Sequence, residues 1–189
     1  MSRTEDKEKR RLEIIEKSID LFVQNGYYGT TVSDIAKEVG MSTGLLFHYF
    51  ESKEKLYEEI LKIGIDGTKS VMTLDQSNPI EFFTDCVDII FNSVKMFPFS
   101  AKMFLLVNRA FTNKPVSDTI KELLSQIDNI EKSVEIIKKG QSDGTIKQGN
   151  PYALSTAYWS AICGIMEYSA LYSDIPMPKG EWIVDILKA

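Results

Sequence analysis

The sequence predicts an all-α fold of about nine helices, with a small N-terminal three-helix head joined through a fourth helix to a larger helical body. Three observations predict it. Apolar residues recur at three- and four-residue steps along almost the whole chain, alternating strand patterns are nearly absent, and capping residues open one segment after another. Residues 8–25 read as the first helix, with Leu12, Ile15, Ile19 and Phe22 on one face and Asn25-Gly26 at its end. Thr31 caps a short helix whose Val32, Ile35, Ala36 and Val39 face inward, and Gly40 ends it. Ser42 caps the next, which runs to about Phe50; Ser52 caps a longer one through Leu56, Ile60 and Ile63, ending at Gly64 or Gly67. In the body, Asn78-Pro79 with Glu81 opens a helix to Phe97, and Pro98 separates it from an apolar helix at 100–112. Residues 115–139 place Val116, Ile120, Leu123, Ile127, Ile130, Val134 and Ile137 at alternating steps of four and three, a seam for another helix. After a turn-rich stretch at 140–149, Asn150-Pro151 opens a helix to about Tyr172, and a short piece at 180–188 closes the chain. The expected division is a head at 1–52 and a body at 53–189, with no flexible linker between them.

Composition narrows the function classes. With 43% hydrophobic and 26% charged residues, the 189-residue chain has the balance of a globular protein. No apolar run approaches the roughly 18–20 residues a membrane span needs, and Met1 to Arg11 lack a signal-peptide core, so a cytoplasmic location is expected. Cys86 and Cys163 lie far apart within apolar patterns and read as buried free thiols. One histidine, no close Cys pair, no Gly-rich phosphate loop and no nucleophile elbow leave no catalytic residues, no metal ligands and no cofactor to assign. A net charge of −5 weighs against nucleic acid, and the first 65 residues carry ten Lys/Arg against twelve Asp/Glu. The cations are clustered, however, as Lys7, Lys9, Arg10, Arg11, Lys37, Lys53 and Lys55, and phosphate contact depends on which face they occupy.

The most informative stretch is V-S-D-I-A-K-E-V-G-M-S-T-G-L-L-F-H-Y-F-E, residues 32–51. Two short helices that cross steeply need a small residue where their backbones meet, supplied by Ala36, and a tight reversal, supplied by Gly40. Ile35, Val39 and Leu46 fill the wedge between them, which makes a helix-turn-helix. The run from Gly26 to Leu56 resembles the DNA-binding head of the tetracycline-repressor (TetR) family of regulators. The resemblance lies in an aromatic after the first glycine, Thr30-Thr31, Gly44-x-x-Phe47-x-x-Phe50 and Ser52-Lys53-Glu54-x-Leu56, and covers about a quarter of the chain. Phe47 stands where the family more often has tyrosine, and so lacks a phosphate-donating hydroxyl.

The resemblance implies a homodimeric transcriptional regulator of a double-stranded DNA operator, by family habit a repressor released by a small apolar or amphipathic effector. The helix at 43–50 would enter the major groove with Thr43, Gly44, Leu45, Phe47, His48 and Tyr49, while Thr31, Ser33, Ser42 and Lys53 meet the backbone. His48 also fits an ordinary surface histidine, Tyr49 packing under the head, and Lys7 to Arg11 a solvated helix start. For the dimer, the small-residue stripe Ala153, Ala157, Ala161 and Gly164, with Tyr168, would pair beside the seam residues Ile127 and Val134; intrachain core is the other reading. Phe83, Phe91, Phe104, Asn108, Phe111, Trp159 and Met166 are the candidate effector residues. Buried Asp85, Asp88 or Glu167 would favour a cationic effector, and a buried Arg109 an anionic one. The rival reading is a helical ligand-binding or protein-interaction module that does not bind DNA.

Overall fold

A computed structural model describes residues 3–97, 99–113, 117–172 and 175–189, so Pro98 and Val116 lie outside the described residues. Among these residues the chain is helical, with one isolated antiparallel bridge between Ile146 and Lys188.

The head comprises α1 (Arg3–Gly29), α2 (Val32–Glu38) and α3 (Thr43–Phe47). Ile14, Ile15, Ile19 and Phe22 of α1 are buried with Ile35, Ala36, Val39, Leu46 and Phe50. Gly26, at φ 72°, bends α1 before its last turn. At the end of α2, Gly40 takes φ 65°; Met41 N–H reaches back to Ala36 O (2.9 Å) and Gly40 N–H to Lys37 O (3.1 Å). This left-handed glycine stop reverses the chain into α3, as the sequence predicts.

α4 (Lys53–Ser70) starts on a Ser52 cap, buries Leu56, Tyr57 and Ile60 beside the head, and then runs on into the body. A single 3-10 turn, Val71–Thr73, leads to α5 (Pro79–Met96) and α6 (Phe99–Thr112). α7 (Asp118–Leu124), α8 (Asn129–Ser142), α9 (Pro151–Leu171) and α10 (Gly180–Val184) complete the body. α9 packs along both α6 and α8, and α6 also lies against α1 and α4. One continuous buried core runs from Ile14 to Leu187, so head and body share an interior. Lys102 pairs with Asp20 at 2.6 Å, and Arg109 donates to Val23 O at 2.7 Å, fastening α6 to α1.

The expected continuous seam at 115–139 is corrected. The chain leaves the helix at Ser125, and Asp128 starts a new one by accepting Glu131 N–H at 2.9 Å. Ile120, Ile127 and Ile137 are buried in the chain's own core.

Candidate nucleic-acid interface and body cavity

Local capping builds the head's outer face. Thr31 accepts from Asp34 N–H (3.1 Å), while the Asp34 carboxylate accepts from Thr31 N–H (2.8 Å) and from the Thr31 hydroxyl (2.7 Å). These bonds hold the Asp34 carboxyl below its usual range. The Thr31 proton is thereby committed within the head. Ser42 accepts Leu45 N–H at 3.2 Å and starts α3. Ser33, Thr43, Gly44 and His48 stand exposed, and a Cβ on Gly44 would meet nothing within 4 Å. Leu45 and Phe47 project from the same short helix, 46% and 49% exposed, although large apolar side chains seek cover. Tyr49 is half-buried and packs against the core.

Three predicted or clustered cations work inside the head. Lys53 Nζ donates to Tyr27 O and Thr30 O, both at 2.7 Å, and lies 4.1 Å from the Tyr27 ring centre. Burial lowers its pKa. Where the sequence suggests a phosphate contact, the ammonium of the free chain is engaged at the end of α1 and the residue just beyond it, where terminal carbonyls have no helical partner. Arg10 donates to Val39 O, and Arg11 donates to Tyr49 O (2.7 Å), pairs with Glu59 and covers the Phe50 ring at 4.2 Å. Sequence reasoning left Arg10 and Arg11 as solvated or DNA-facing, since side chains that reach 29 and 38 positions along the chain leave no local signal. Lys7, Lys9 and Lys37 remain exposed.

The body holds two adjoining cavities of about 240 and about 370 Å³, whose walls share Thr68, Phe104, Asn129 and Trp159. Of the residues expected there, Met166 lines the first lobe, Asn108 and Phe111 the second, and Phe104 and Trp159 both. Phe83 and Phe91 are corrections, for neither reaches a lobe. Phe83 stacks edge-on with Phe82 and Tyr158, at ring distances of 5.1 and 4.9 Å, as filled core, and Phe91 is buried. The sequence reading missed Gly64, Gly67 and Thr68 of α4 and Asn129 of α8. The spacing of the two glycines in an otherwise helix-forming stretch was the available signal.

Along α9, Ala157, Gly164 and Tyr168 are exposed, whereas Ala161 is half-buried and packs against the core. Val134 is half-buried. Ile127 is 6% exposed and lines the second lobe, so its expected place in a dimer contact is corrected. No helix among the described residues is long and apolar enough to cross a membrane.

A family model described as bacterial regulatory proteins, tetR family, matches residues 14–60. The Staphylococcus aureus protein named biofilm operon icaADBC HTH-type negative transcriptional regulator IcaR is 38% identical over 64 residues, 34% of this chain and 34% of its own length. The match thus spans about a third of that curated relative. Beyond the head the likeness is one of fold. The TetR family transcriptional regulator PfmR of Thermus thermophilus superposes with TM-score 0.69 at 20% identity, over 91% of this chain and 93% of its own. AibR, solved in complex with isovaleryl coenzyme A and operator DNA, gives TM-score 0.66 at 20% identity, over 93% and 94%.

Proposed function

Because residues 14–60 match the model of the tetR family of bacterial regulatory proteins, we propose that the chain belongs to that family and is a DNA-binding transcriptional regulator, a repressor that a small molecule releases from its operator. The observation that carries the reading is the outward face of α3. There Thr43, Gly44, Leu45, Phe47 and His48 are exposed side by side while Leu46 and Phe50 anchor the helix to the head. Such a short, rigidly seated helix fits the major groove, with Gly44 allowing close backbone approach and the Ser33 hydroxyl available to a phosphate. In this reading residues 1–52 bind DNA, and residues 53–189 hold the effector and pair two copies through the exposed face of α9. The protein acts in the cytoplasm and is no enzyme.

One recognition helix reads few bases, so two half-sites about one turn apart are expected. α6 lines the cavity and grips α1, so occupation of the cavity by a ligand shifts the population of DNA-competent dimers. The test is fluorescence anisotropy on labelled DNA from upstream of the protein's own gene, against scrambled DNA at two salt concentrations. Preferential, salt-sensitive binding is expected. A folded dimer that binds neither DNA, nor any site selected from a random pool, would overturn the reading in favour of a helical module that does not bind DNA.

A further inference from the structure

Resting on the reading that the body takes a small molecule, we propose the chemical class of that molecule: it is uncharged and largely apolar, and carries a hydroxyl or amide N–H that donates to Asn129. Asn129 lines both lobes, and its side-chain oxygen is buried and has no hydrogen-bond partner among the described residues. A buried acceptor without a donor is costly, and a ligand that supplies the donor recovers that cost on binding. The neighbouring hydroxyls do not serve it. Thr68, Ser70 and Ser93 donate to Gly64 O, Gly67 O and Ile90 O of their own helices, at 2.9, 2.7 and 2.7 Å. Asn108 offers a second polar point: its carbonyl takes the Cys163 thiol at 3.8 Å, which leaves its N–H groups for a ligand oxygen.

The lining disfavours a charged ligand. Asp128 is its one charged residue among those described, is exposed, and already caps α8 through Glu131 N–H. Asp85, Asp88 and Glu167 are exposed and line neither lobe, and the Arg109 guanidinium is held by Val23 O. A buried carboxylate would find no counter-ion here, and a buried ammonium only Asp128, which is exposed to solvent.

Trp159, 4% exposed in the wall of both lobes, reports occupancy once the exposed Trp182 is replaced. The experiment titrates the Trp182→Phe protein with 1-decanol, decyl methyl ether, decanoate and decylammonium, following Trp159 fluorescence. Decanol is expected to bind about tenfold tighter than the ether, which lacks the donor, and tighter still than either ion. Adding Asn129→Ala should bring decanol to the level of the ether while raising the melting temperature of the ligand-free protein, since an unpaired buried oxygen is removed. Tighter binding of decanoate or decylammonium overturns the inference, yet leaves a small-molecule effector in place. An alcohol-to-ether ratio of one, or a ratio unmoved by Asn129→Ala in a protein that still melts cooperatively, overturns it as well. Silence from all four probes overturns both the inference and the effector reading. DNA binding, measured without probe in parallel, stands or falls separately.

Discussion

At Lys53 the ammonium sits between two carbonyls at the end of α1 and just beyond it, Tyr27 O and Thr30 O. Its work is to hold the last turn of α1 onto the start of α4, and the consequence is measurable. Lys53→Met should lower stability by about 1–3 kcal/mol, as expected for buried polar atoms left unpaired. The slope of log K against log salt for DNA binding should stay unchanged, whereas loss of a phosphate contact would reduce it by about one. Gly44 makes the opposite case. Nothing within 4 Å would meet an added Cβ, so no packing demands glycine there. Gly44→Ala is expected to raise stability by about 0.5–1 kcal/mol through helix propensity while weakening DNA binding, since the methyl group intrudes where the backbone meets the groove. Thermal melts and anisotropy on one preparation separate the two effects. The sequence carried this glycine's significance plainly, because its neighbours on both sides bear a known pattern. It carried nothing of the kind for Lys53, whose partners lie 23 and 26 positions away.

Among the elements, helices that begin on caps were legible: Thr31, Ser42, Ser52, Asn78 and Asn150 each start a helix within a residue of where the sequence places it. The seam at 115–139 misled because period alone was followed across a boundary. Asp128, three residues before Glu131, is itself a start signal, and the structure uses it. The cavity was half legible. Aromatic residues of α6 and α9 announced it, but periodicity cannot tell the wall of a void from filled core, and so Phe83 and Phe91 read alike with Phe104. α4 supplies part of the remaining wall, beside residues of α5 and α8, through its closeness to α6. A Cβ on Gly64 would lie 2.7 Å from Val107 Cγ2 and 2.9 Å from Met103 Cγ. Gly64→Ala is therefore expected to destabilise the protein by about 1–3 kcal/mol through overpacking, despite alanine's better helix propensity. Urea unfolding would show an unchanged slope and an earlier midpoint, and an unchanged or raised midpoint would mean α4 and α6 separate easily.

For the whole molecule, buried acidic protons set its alkaline limit. Burial pushes the Cys86 thiol from 9.0 up to about 12 and the Tyr57 phenol from 10.0 up to about 12. Above pH 9 the unfolded chain releases these protons while the folded chain keeps them, so the folded state binds more protons and stability falls as pH rises. The contribution is whole below pH 9 and is lost by about pH 12. A lower melting temperature at about pH 10.5 than at about pH 8 is expected, with a smaller drop in Cys86→Ala. Assembly offers a second test at this scale. The exposed stripe of α9 leaves Ala157 and Gly164 open to close approach by another helix. Gly164→Arg should leave the monomer fold intact and shift the protein to half its mass in sedimentation, with DNA affinity falling as the second half-site is lost.

The inward use of Arg10, Arg11 and Lys53 has a bearing on how such a protein behaves inside a cell. Fewer cations face outward than the sequence carries, so on the proposed reading attraction to arbitrary DNA would be weakened, because that attraction comes almost wholly from phosphate neutralisation. Chromosomal DNA, with its roughly 10⁶–10⁹ competing sites, then acts as a poor sponge. On the proposed reading, a small number of copies would suffice to occupy an operator, and promoter activity would follow the supply of effector more than the dosage of the regulator's gene.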